Sequence, residues 1–266
     1  MPTIVTGREL NVTRTLAEQA LRRDGNVEPV TLEHAKQAVL DLIGSAVRAR
    51  FESETSASVH RAISALGAGG TSTAIGYGPA FAPQYAALLN ACNFHALDFD
   101  DTHERSSLHP GAPVVGAALT EAERLGSSGA NLLAAIVAGY DVAVRLGVAL
   151  IPPVHYARGF HPSATAGVFG ATAAAARLHG DDAGCLESAF GINLSQAAGS
   201  LQFSVDGAQT KPLQVGFAAH NAILARELAA AGRLIRTRFT ASGTMLRSRT
   251  IATSTSIAAC MYRQHG

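Results

Sequence analysis

Apolar residues recur at the three- and four-residue spacing of an α-helix through most of this 266-residue chain. Nowhere does a strand-like run alternate with a helical one. That pattern excludes a doubly wound nucleotide-binding fold, which needs alternating strands and helices. It predicts an all-α domain instead. Ala35, Ala38, Val39, Leu42, Ala46 and Val47 mark one such face. Further helices are expected at about 56–67, 83–97, 111–125, 129–150, 162–179, 182–197 and 212–231, joined by short connections. The Ala count of 51 fits, because small side chains let helices approach closely. Thr15 and Glu18 read as a capping box, and Thr31 as the cap of the next helix. Thr71–Gly78 is the one β-like piece, a short hairpin without the GxxxxGK[ST] pattern of a phosphate loop.

The formal net charge of +1 hides an asymmetry. Residues 233–266 carry six Arg and no acidic residue, which leaves residues 1–232 at −5. We therefore divide the chain into a helical domain, 1–232, and an atypical basic Ser/Thr/Arg tail, 233–266, expected to be a disordered or frameshifted end. The tail lacks interleaved aromatics and a basic helix face, so no nucleic-acid partner is expected. Cys92, Cys185 and Cys260 form no CxxC pair, and the first residues lack a basic region followed by an apolar run, so no signal peptide is expected; a reducing, cytoplasmic setting is the expectation. The apolar stretch 129–150 contains Asp141 and Arg145, so it is expected to be a buried core helix rather than a membrane span.

Three dipeptides carry the first chemical signal: His109-Pro110, His161-Pro162 and Lys211-Pro212. Each precedes a helical segment. Proline is favoured at the first helical position, which places His109, His161 and Lys211 at N-caps. Basic residues are poor caps, because they meet the positive end of the helix dipole. Three such exceptions point to an anion site, where free N–H groups and basic side chains converge. The dipole is expected to lower the pKa of each, making a general base available near neutral pH.

The second signal is the run His95, Asp98, Asp100, Asp101, Thr102 and His103, followed by His109. Carboxylates at a helix C-terminus are unfavourable. The run reads as a divalent-metal site, as a polar network that orients His109, or as a solvated acidic loop. Ser163 and Ser195 lack a GxSxG elbow and are not nucleophile candidates. His179 and His220 are expected to be structural.

The motifs His95-Ala-Leu-Asp98-Phe-Asp100-Asp101-Thr102-His103, His109-Pro110-Gly111, Gly139-Tyr140-Asp141, Arg158-Gly159-Phe160-His161-Pro162-Ser163 and Asp206-Gly207-Ala208-Gln209-Thr210-Lys211-Pro212 resemble the hallmarks of the MmgE/PrpD family. The resemblance runs from about residue 10 to about residue 232. It implies a lyase acting on a small di- or tricarboxylate, without metal or other cofactor, in a homodimer. It implies an all-α domain and a smaller α+β lid, and the lid is expected to be missing here. Carried over by motif, Asp98, Thr102, His109, His161 and Lys211 match active-site positions. Elimination of water from 2-methylcitrate is the expected reaction, with cis-aconitate decarboxylation or epimerisation as alternatives. A non-catalytic helical remnant and a divalent-metal hydrolase are the competing expectations.

Overall fold

The computed structural model describes residues 12–22 and 27–232; the expectation for the 233–266 tail lies outside them. The described chain is all-α. In order, its elements are α1 (Val12–Leu21), α2 (Pro29–Glu52), α3 (Glu54–Ala65), strand β1 (Gly69–Ser72), α4 (Pro83–His95), a 3₁₀ turn (Glu104–Ser106), α5 (Gly111–Leu125) and α6 (Gly129–Ala149). They continue with α7 (Pro152–Ala157), α8 (Pro162–Thr165), α9 (Gly167–His179), α10 (Ala183–Leu194), α11 (Gln202–Asp206) and α12 (Lys211–Ala231). Helix α12 packs on α4, α5 and α9, α5 packs on α4 and α9, and α6 is laid against α5 and α9. The β-like piece forms bridges from Gly69 and Ser72 to Phe81 rather than a longer hairpin.

Small residues set these crossings. The Gly139 and Gly170 backbones meet where α6 crosses α9. A Cβ on Gly139 would lie 2.7 Å from the Gly170 carbonyl oxygen, and one on Gly170 would lie 2.5 Å from the Gly139 carbonyl oxygen. Neither obstacle is a flexible side chain that can swing away. Gly139→Ala is therefore expected to destabilise the domain by about 1–3 kcal/mol, the usual range for overpacking. A drop in the urea midpoint at unchanged slope checks this; an unchanged midpoint contradicts the crossing.

The apolar helix α6 is long and apolar enough to cross a membrane by composition, but 56% of its apolar window is buried inside the domain. Its Arg145 Nε donates to Asp141 Oδ1 at 2.7 Å, one helical turn away. It is a core helix, as the sequence suggests.

Several helix starts differ from expectation. Thr15 and Glu18 lie inside α1, which is already formed at Val12, and Glu18 instead accepts from Arg14 Nε at 2.8 Å. Helix α2 starts at Pro29 after Glu28, so Thr31 is a buried first-turn residue and not the cap. Proline's fixed φ outcompetes the hydroxyl as a start signal. Among the described residues, side chains accept a capping hydrogen bond at Ser53 on α3, Ser128 on α6 and Asp182 on α10, and at His103 on the 3₁₀ turn.

The X-Pro expectation holds for position but only once for the cap itself. His161 is the N-cap of α8. Pro110 caps α5, which leaves His109 one residue further out. Lys211 is already the first helical residue of α12, capped by Thr210. The expected helix 162–179 is also split at Ala166 into the one-turn α8 and α9. A single turn has little dipole, so His161 owes its properties to other neighbours.

Candidate active site

Helix α4 delivers His95 at its last turn, and the following loop folds back so that Asp98, Asp100, Asp101 and Thr102 face the start of α5. The loop turns at Asp98, whose φ of 59° is left-handed. Aspartate tolerates that region better than most residues. Asp98, Thr102, His109, His161 and Lys211, from three separate chain segments, meet here.

Asp100 is the centre of the cluster. Its buried carboxylate faces His95 Nδ1 at 3.0 and 2.8 Å. Its Oδ1 lies 3.3 Å from His109 Nδ1, and its backbone carbonyl lies at 3.3 Å from the same nitrogen. Burial opposes a charge on Asp100, but the two imidazoles outweigh it and hold the carboxyl well below the usual range. Thr102 Oγ1 adds a contact to His109 Nδ1 at 3.4 Å. With three oxygens at Nδ1, the His109 tautomer carries its proton there and turns Nε2 outward.

His109 Nε2 lies 3.7 Å from Asp98 Oδ1. Lys211 Nζ donates to the same oxygen at 2.5 Å. One carboxylate oxygen thus sits between a lysine and an imidazole. Burial lowers the proton affinity of His109, yet the hydrogen bond and charge of Asp100 dominate, so its pKa is raised. The dipole-based expectation of a lowered value is overturned here, because a buried carboxylate at contact distance outweighs a helix end.

His161 differs. Its pKa is pushed down to about 3, first by burial and then by the charges of His95, Lys211 and His109. Its Nδ1 lies 3.0 Å from Gln214 Oε1, while Gln214 Nε2 donates to the Ser200 carbonyl at 2.9 Å. That second bond fixes which end of the amide faces the ring. Neutral His161 therefore donates from Nδ1 and keeps a lone pair on Nε2. The three rings form a row: His95 is edge-on to His109 at 4.6 Å between centroids and stacked with His161 at 5.9 Å.

Sequence reasoning passed over three groups that shape the site. Ser163, set aside as a nucleophile, accepts the His109 backbone N–H at 3.0 Å. Gln214 fixes the His161 tautomer, and Phe203 lies edge-on to His161 at 5.5 Å. Gln214 was discoverable, because it follows Lys211 by three residues and shares its helix face. His103 contacts Ser106 Oγ at 2.7 Å within its own turn and stands outside the cluster's contacts.

Of the three readings of the acidic run, the geometry is that of an orienting network. The donor atoms of His95, Asp98, Asp100 and His109 do lie within 4.8 Å of one another, close enough to hold a divalent cation. However, the ammonium of Lys211 already meets Asp98, and Asp100 is engaged by both imidazoles. A second group, Glu121, His179 and Glu227, lies at the other end of α5. There Arg124 Nη2 donates to Glu121 at 2.7 Å and to Glu227 at 2.5 Å, so a guanidinium fills the centre.

Residues 19–241 match the MmgE/PrpD N-terminal domain. The chain is 30% identical over 237 residues to the cis-aconitate decarboxylase-like protein oryM of Aspergillus oryzae, covering 84% of this chain and 48% of that protein. It is 32% identical over 207 residues to the cis-aconitate decarboxylase of Aspergillus terreus, covering 76% and 42%. With the cis-aconitate decarboxylase of Homo sapiens it shares 34% over 161 residues, covering 56% and 31%. The chain spans about half the length of the curated relatives it matches, or less.

Proposed function

Because the chain belongs to the MmgE/PrpD family, we propose that its histidine cluster is the acid–base centre of a lyase for a small di- or tricarboxylate. The carrying observation is the contrast between two neighbouring imidazoles: His109 Nδ1 lies 3.3 Å from the buried Asp100 carboxylate, whereas His161 Nδ1 lies 3.0 Å from the neutral Gln214 amide oxygen. His109 is held toward its protonated form, and His161 is held neutral with Nε2 free. Groups whose environments push their pKa values apart suit separate acid and base roles. Lys211, at the first turn of α12, supplies the cation for a substrate carboxylate, aided by the helix end.

The names of the relatives favour cis-aconitate as the first substrate to test. In decarboxylation the C–C bond to the departing carboxylate breaks and its electron pair stays on carbon. His109 then delivers its Nε2 proton to that carbon. Lys211 attracts a remaining carboxylate, and Asp98 orients the Lys211 ammonium. The same groups serve a second reaction, 2-methylcitrate dehydration. There His161 Nε2 removes a proton α to a carboxylate, and His109 protonates the departing hydroxyl as water. The free lone pair on His161 favours keeping this reading, since decarboxylation needs no base. A homodimer belongs to the same proposal, and sedimentation of the purified chain tests it.

Incubating the chain with cis-aconitate and, separately, with 2-methylcitrate tests the proposal. Carbon dioxide release from the first supports decarboxylation; water loss from the second supports dehydration. Binding and turnover of neither would overturn the lyase reading. Lys211→Met is expected to weaken carboxylate binding about tenfold or more, since a charged hydrogen bond contributes about 1.5–3 kcal/mol. Calorimetric titration with cis-aconitate measures it.

A further inference from the structure

Asp101 takes no part in the acid–base scheme, yet one of its carboxyl oxygens is sealed inside the domain beside it. Its Oδ1 is sealed from solvent and has no hydrogen-bond partner. It presses on Gly111, the first residue of α5: a Cβ on Gly111 would lie 2.0 Å from Asp101 Oδ1 and 2.6 Å from the Tyr140 hydroxyl oxygen. Only a glycine leaves room for both groups. Asp101 directly follows Asp100, which contacts His109, and Gly111 stands two residues after His109. The wedge therefore joins the backbones on both sides of the Asp100–His109 contact.

The groups facing Asp101 are Asp100 in its own loop, His109 ahead of α5, Tyr140 from α6 and Asp41 from α2. Two of these are carboxylates, and Asp100 is held in its charged form. A second charge one residue away, in a pocket where the Tyr140 hydroxyl is the neighbouring donor, is unfavourable. We propose that Asp101 is a positioning residue which, in its uncharged form, wedges between Gly111 and Tyr140 and so sets the Asp100–His109 contact. Burial and the charge of Asp100 push the Asp101 carboxyl up to about 7, which agrees. The inference deepens the proposed lyase site but stands on contacts that need no substrate.

Imidazole NMR titration of the whole chain tests it, with the His109 resonance assigned from its loss in His109→Gln. In the unsubstituted protein the His109 resonance is expected to show a second inflection near neutral pH, as Asp101 ionises. Asp101→Asn keeps the shape and stays uncharged. It is expected to retain the main His109 midpoint and lose the second inflection. Asp101→Ala removes the wedge and is expected to lower the His109 midpoint by roughly half to one pH unit, as its contact with Asp100 loosens. If the alanine variant does not fold, Asp101→Ser is read in its place. An inflection that persists in Asp101→Asn, an Asn variant that shifts His109 as Ala does, or an unmoved midpoint without the wedge would each overturn the proposal. Absence of turnover with these titrations as expected would overturn the lyase reading alone.

Discussion

Under the proposed dehydration of 2-methylcitrate, replacing His161 by glutamine is expected to lower turnover by roughly two to four orders of magnitude, the usual contribution of a positioned general base. The expectation follows from how His161 is prepared. Burial and neighbouring charge keep it neutral, and Gln214 holds its Nδ1–H so that Nε2 has a lone pair to offer. Glutamine fills similar space but has no basic nitrogen. The fold should survive, since the α8 cap depends on backbone geometry, and His161 makes no side-chain cap bond there. Binding of 2-methylcitrate should change far less than turnover. Steady-state rates with parallel calorimetry separate the two effects. The same substitution should affect cis-aconitate decarboxylation less, because that reaction asks for an acid and not a base. Equal losses on both substrates would show that His161 orients substrate instead of moving a proton.

The all-α architecture was legible because its signals are local. Helical spacing and Gly/Pro punctuation placed nine helices close to where the structure has seven of them, α3, α4, α5, α6, α9, α10 and α12. The other two starts fell inside α1 and α2, where Val12 and Pro29 override the threonines. The short α7 and α11 were not anticipated, since segments of six and five residues carry too few apolar positions to show a period. At the site, odd residue choices were informative: bases at helix starts and acids after a helix end. The first identified His109, His161 and Lys211 as a group and the second marked Asp98 in a separate run, and only the family resemblance joined the two. Dipole reasoning sees only chain position. The Asp100 carboxylate reaches His109 across nine residues of sequence, and Gln214 reaches His161 across fifty-three. Such contacts arise from the packing of α4 against α5 and of α12 against α8, which local pattern does not encode.

Asp100→Asn should cost the domain about 3 kcal/mol, because it leaves the His109 imidazole without its buried counter-charge. The loss should depend on pH in a defined way. Asp100 titrates below its ordinary 3.8 in the folded chain, so its stabilisation is present above that value and fades as pH falls through the folded pKa. His109 titrates above its ordinary 6.5, so its contribution is full below 6.5 and fades as pH rises through the folded pKa. Both groups are charged together between about pH 4 and 6.5, and the penalty of the substitution should be greatest in that window. It should shrink toward pH 9, where a neutral His109 loses its charge attraction to the carboxylate. Urea unfolding of both proteins at pH 5.5 and pH 9 measures the difference. The His95 contact at 2.8 Å can persist as a neutral hydrogen bond to the asparagine, so a residual stability difference at pH 9 is compatible with this account. A penalty of equal size at both pH values is not. It would mean that Asp100 holds the loop by shape alone, and the acid role assigned to His109 would then lack its electrostatic cause.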